Sequence, residues 1–151
     1  MRIFGPMANK SAGPIKLFVL GDARIETPTA VIEPTAEIIF AVALFLILGR
    51  KEPSPRRALQ RLLWPNVDTS TASHRLRQTL LKLRRMGIRV DTVGTSRVQI
   101  GNDSVSVDSE EFLRNTSTEL ELERLSLLPG YDPQFSAPYA EWLDAQRLGI
   151  G

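Results

Sequence analysis

The chain has no cysteine among its 151 residues. Disulfides, thiolate metal sites and thiol nucleophiles are therefore excluded, and the composition fits a reducing cytoplasm, which is the expected location. It has a single histidine, His74, too few for a histidine-based metal cluster. Its few aromatic residues stand in apolar runs or in the acidic end, not among the cations. That arrangement argues against an RNA or single-strand binder that stacks bases. No Gly-rich phosphate loop is present, since Gly94 and Gly101 fall in or near turns outside the P-loop and dinucleotide patterns. The most apolar run, Ala36–Leu48, is 13 residues long and contains Glu37. A bilayer span needs about 20 such residues, so a buried core helix is the expectation. The N-terminal residues lack the pattern of a secretory signal. No catalytic set can be assembled either. His74 stands beside Arg75 and Arg77 on the basic side of a helix with no acid next to it in sequence, and Glu110-Glu111 is explained by a helix start. No enzymatic activity, cofactor or metal is expected.

The length suits one domain with a small appendage, and an apolar fraction of 42% suffices for a core. The net charge of +2 conceals an asymmetry. Residues 50–100 hold 12 Lys/Arg against 3 Asp/Glu, whereas residues 101–151 hold 3 against 10. A basic middle beside an acidic end suggests a polyanion-binding module followed by a part that does not touch the polyanion.

The most informative stretch runs from Asp68 to Gly87. Asp68 or Thr69 can cap the first turn of a helix, and Gly87 can end it. At 100° per residue Ala72, Leu76, Leu80 and Leu83 share one side, while Thr71, His74, Arg75, Gln78, Lys82 and Arg85 share the other. The second set carries the cations and hydrogen-bonding groups that read base edges and grip phosphates in a major groove. A solvated surface helix is the plainer alternative. Leu81 projects away from the core stripe, without an account at this level, toward a hairpin or a partner.

The flanking segments give this helix a context. Residues 1–14 look like a flexible tail. Ile15–Ile25 begins with a strand, Ala30–Ile32 reads as another, and the apolar helix closes at Gly49. Ser54 is expected to cap a helix that has Pro55 at its first position and ends at Trp64-Pro65. Two helices with a short connection, the second basic, make a helix-turn-helix plan. Residues 88–93 and 98–100 alternate as strands around the polar tip Gly94-Thr95-Ser96-Arg97, and Val105 and Val107 are expected to extend that sheet. Arg56 and Arg57 stand in a first turn, where the helix dipole disfavours cations by about 0.3–1 kcal/mol. A nearby phosphate would remove that cost. Beyond, Asp108 is expected to cap a short helix, Ser117–Leu127 to form an acidic helical piece, and Tyr139–Leu148 a last helix.

Ser54-Pro-Arg-Arg-Ala-Leu-Gln-Arg-Leu-Leu-Trp-Pro65, the Ser73–Arg85 segment and the hairpin resemble the OmpR-type winged helix of SARP-like bacterial regulators. Leu127-Leu-Pro-Gly-Tyr-Asp132 and Glu141-Trp-Leu-Asp-Ala-Gln-Arg147 resemble the opening of the TPR-like bacterial transcriptional activator domain that follows it in that family. The resemblance implies an α+β fold: a winged helix-turn-helix over residues 15–107 with N-terminal strands and a C-terminal hairpin wing, then an acidic helical extension over 108–151. It also implies double-stranded DNA as the partner, with dimeric or tandem binding on repeated sites.

The expected base readers on the helix 69–86 are Thr71, His74, Arg75 and Gln78; arginine pairs with guanine and glutamine with adenine through two bonds. The expected phosphate contacts are Arg56, Arg57, Ser73, Lys82 and Arg85, with Thr95, Ser96 and Arg97 from the wing. Arg77 and Arg84, on the flanks, are free to pair with acids. The competing reading is a protein-interaction module. In it the acidic C-terminal segment binds a partner and the basic middle is incidental. Beside DNA, RNA polymerase or another protein is an expected partner through the C-terminal segment in the main reading.

Overall fold

The computed structural model describes residues 13–115 and 127–148. The chain is α+β. It opens with strands β1 (Ile15–Phe18), β2 (Arg24–Glu26) and β3 (Val31–Ile32), then helix α1 (Glu37–Leu48). A two-residue strand β4 (Ser54–Pro55) leads into α2 (Arg56–Leu63) and α3 (Thr69–Arg85). Strands β5 (Val90–Val93), β6 (Arg97–Ile100) and β7 (Val105–Val107) follow, then α4 (Asp108–Asn115) and α5 (Ala137–Leu148). The expected tail, through residue 12, and most of the expected acidic helix, residues 117–126, lie outside the described residues.

Two sheets form, and their membership differs from expectation. The four-stranded sheet has the order β3-β2-β1-β7 and the three-stranded sheet β4-β6-β5. Residues 105–107 therefore do not extend the hairpin. They lie parallel to β1, with Val107 opposite Leu17, because Val107 buries its side chain in the main core there. Alternation in β1 puts Ile15 and Leu17 inside and Lys16 outside.

Ser54 and Pro55 are likewise placed differently. They pair with β6, Ser54 opposite Val98 and Pro55 opposite Arg97, and the helix begins one residue later, at Arg56. Pro55 holds the N-cap position with extended backbone and no side-chain cap. A residue before proline is pushed toward extended geometry, which favours Ser54 in a strand. On an edge strand the missing proline N–H costs no ladder bond.

Asp108 does not cap α4 from outside; it is the first helical residue. Its carboxylate instead accepts the Val19 and Leu20 N–H groups, at 2.8 and 3.2 Å, and so closes the end of β1.

Helix α1 is apolar on every side, which requires burial all round, and Phe40, Ala41, Val42, Ala43, Leu44, Leu46 and Ile47 are indeed buried. Segment 127–148 is part of the same core: Leu127, Leu128, Tyr139 and Leu143 join it. The Tyr139 hydroxyl donates to the Ala41 carbonyl at 2.7 Å, and Trp142 lies 5.0 Å from the Phe45 ring. Ser136 caps α5 by accepting the Tyr139 N–H while its hydroxyl donates to the Leu62 carbonyl at the end of α2. Arg147 donates to the Leu127, Leu128 and Tyr131 carbonyls. The C-terminal helix thus braces α1 and α2 from behind. Among the described residues, no helix is long and apolar enough to cross a membrane.

Candidate nucleic-acid interface

Helix α3 is held at both ends. At its start the Asp68 carboxylate accepts the Thr71 N–H and the Thr71 hydroxyl, each at 3.0 Å. These hydrogen bonds favour the charged carboxylate and lower its pKa below the ordinary carboxylate value. At its end Gly87 adopts φ +96°, the left-handed conformation that suits glycine. The Thr27 and Thr29 hydroxyls donate to the Met86 carbonyl at 2.6 and 3.2 Å, so the β2–β3 turn closes the helix. A Cβ at position 87 would stand 2.9 Å from the Thr27 hydroxyl oxygen.

The Asp68 cap carries a pH signature. A carboxyl whose folded pKa lies below its unfolded one stabilises fully above the unfolded value and loses that contribution as pH falls through the folded one. Asp68→Asn keeps an N-cap but cannot titrate. Its thermal midpoint is expected to fall less than that of the parent protein below the ordinary carboxylate range, and to show no such difference at neutral pH. Equal acid sensitivity of the two proteins would remove the charged cap from the account.

The inner side of α3 is the expected stripe, Ala72, Leu76, Leu80 and Leu83, joined by Thr79. The Thr79 hydroxyl is satisfied by donating to the Arg75 carbonyl at 2.9 Å, which lets a polar residue sit in the buried row. The outer side is open. His74, Arg75, Gln78, Lys82 and Arg85 are all exposed. None makes a side-chain hydrogen bond or ion pair with another described residue; the ion pairs among the described residues are Arg24–Glu26, Arg50–Glu110, Arg89–Asp91 and Arg147–Asp144. Thr71 is exposed, but its hydroxyl hydrogen is engaged by Asp68, so only its lone pairs remain for a ligand. Ser73 is half-buried on the flank.

The other expected contacts divide. Arg57 is exposed at the start of α2. Arg56 is half-buried and turned onto the hairpin: its N–H donates to the Ser96 carbonyl at 2.8 Å and its guanidinium to the Thr92 hydroxyl at 3.3 Å. Thr95 and Ser96 are exposed in the turn between β5 and β6, where Gly94 takes φ +64°. Arg97 is exposed too, but it opens β6 and does not stand at the tip. It lies between Pro55 and Val93 in the middle strand, where β4 holds its backbone on one side and β5 on the other.

Two residues, Arg61 and Thr92, escaped the sequence reading, and Arg84 is placed differently from expectation. Arg61 lies one helical turn after Arg57, and the two line a cleft of about 190 Å³ between α2 and α3 with Gln60, Trp64 and Thr69. The i, i+4 spacing of the two arginines was a usable signal. Arg84 pairs with no acid among the described residues; it donates twice to the Val90 carbonyl, at 3.1 and 2.9 Å, and ties α3 to β5. Thr92, which steadies Arg56, gave no local signal. Arg57, Arg61, Arg75, Arg77, Lys82, Arg85 and Arg97 are exposed on two consecutive helices and the hairpin that follows, with Arg75 and Arg77 on opposite flanks of α3. Lys82, Arg84 and Arg85 occupy the last turn of α3, the favourable end of its dipole. Such a surface can hold a polyanion through charge and present Gln78 and Arg75 for directional hydrogen bonds.

No protein family, curated protein or solved structure matches the chain.

Proposed function

We propose that the protein is a sequence-specific binder of double-stranded DNA, with α2 and α3 as a helix-turn-helix and the β5–β6 hairpin as a wing. Within that class, we propose a bacterial transcription regulator of the SARP-like kind, on the resemblance of its α2, α3 and C-terminal segments. The observation that carries the reading is the outer side of α3. Five polar side chains stand exposed there without a side-chain hydrogen bond or ion pair to a described residue, in front of a fully engaged leucine row. Helix α3 lies in the major groove in this reading, with Arg75 and Gln78 on base edges and His74 beside them. Lys82, Arg85, Arg57, Arg61 and Arg97 hold phosphates. Arg56 then acts through the wing, by holding Thr92 and the turn at Ser96.

The test separates base reading from phosphate holding. Arg75→Ala and Gln78→Ala are each expected to cost about 1–3 kcal/mol on the preferred site and to relax preference at one position. Lys82→Ala is expected to weaken all duplexes alike. Competition binding on duplexes selected from a random pool reads both effects. Unchanged preference in the Arg75 and Gln78 variants would reject the groove assignment.

A further inference from the structure

Leu81 is the one large apolar side chain on the outer side of α3, 38% exposed and outside the group of residues packed on the core. Helical spacing places it almost diametrically opposite the buried row of Ala72, Leu76, Leu80 and Leu83. Its neighbours one turn away are Arg77, Gln78, Arg84 and Arg85. A helix does not need a leucine among cations and an amide: lysine, glutamine or glutamate would have served as well for helicity.

The chemistry of the groove supplies a reason. Every base pair presents donors and acceptors in the major groove, and thymine alone adds an apolar group, the C5-methyl, which apolar side chains contact. The surrounding positive charge fits a polyanion and not an apolar protein surface. The geometry points to Leu81 as a specificity-determining residue that packs on a thymine methyl, beside the base contacted by Gln78. This rests on the DNA-binding reading above and gives it a residue that selects by shape, not by hydrogen bonds.

The experiment uses the duplex selected by the whole protein. Each thymine of the site is replaced in turn by deoxyuridine, which removes the methyl and leaves every hydrogen-bonding group in place. Binding is measured for the parent protein and for Leu81→Ala, with circular dichroism as the control for folding. The parent is expected to lose about fourfold in affinity at one thymine per bound copy, the worth of one buried methyl-sized group. Leu81→Ala is expected to bind the thymine and deoxyuridine duplexes equally.

A parent protein indifferent to every replacement, or a Leu81→Ala protein that keeps the full methyl effect, overturns the assignment while leaving sequence-specific binding intact. A variant that reads the methyl normally but changes oligomeric state also overturns it, and assigns Leu81 to a protein contact. If the parent selects no duplex at all, the DNA-binding reading fails, and this inference with it.

Discussion

Raising monovalent salt from about 50 to about 200 mM is expected to weaken duplex binding about 500-fold, the loss that goes with about five phosphate contacts. The candidates for those contacts are Arg57, Arg61, Lys82, Arg85 and Arg97, all exposed and none ion-paired with a described residue. Because these cations have no acid to leave among the described residues, each is available to displace a condensed counterion from the duplex. The logarithm of affinity should fall linearly with the logarithm of salt, and each single alanine substitution at Arg57, Arg61 or Lys82 should reduce the slope by about one. Arg84→Ala should leave the slope unchanged, since its guanidinium is engaged by the Val90 carbonyl. A protein-interaction module would behave differently, showing no duplex binding even at low salt. A flat salt profile would sink the electrostatic part of the proposal.

Phe40→Ala is expected to cost about 3–5 kcal/mol of folding stability, a large share of the roughly 5–15 kcal/mol typical of a domain. Phe40 is fully buried in α1 and meets the Tyr131 ring edge-on, with centroids 5.2 Å apart. The substitution removes the transfer energy of the ring and opens a cavity where α1 meets the C-terminal segment. The urea midpoint should fall sharply with little change in slope, the mark of lost stability without a change in compactness. The exposed outer side of α3 is untouched by the substitution, so duplex affinity should be retained wherever the variant is still folded. An unchanged midpoint would mean that α1 is not the centre of this core.

Much of the candidate interface was legible in the sequence because its determinants are local. Asp68, the leucine row and Gly87 are a cap, a period and a stop within one helix, and each acts on backbone groups a few residues away. The same holds for the exposure of Arg75, Gln78 and Lys82, which follows from the phase of that row. Arg56 and Arg57 show where this kind of reading ends. They are adjacent in sequence and equal in chemistry, yet Arg56 is drawn onto Thr92 and Ser96 while Arg57 stays exposed over the cleft it shares with Arg61. The hairpin, more than thirty residues on, decides between them.

Composition and periodicity alone determined that an apolar helix would be buried and that a basic, leucine-backed helix would follow a shorter one and precede a hairpin. Side-chain spacing and glycine conformation are enough for that. Only the folded chain decided that Ser54-Pro55 would edge the hairpin, that Asp108 would close β1, that β7 would lie beside Ile15–Leu17, and that α5 would seal α1 and α2. Each of those outcomes satisfies a backbone group or an apolar face with a partner distant in sequence. The pairing energy is realised only when the two meet, and nothing in either segment by itself records it.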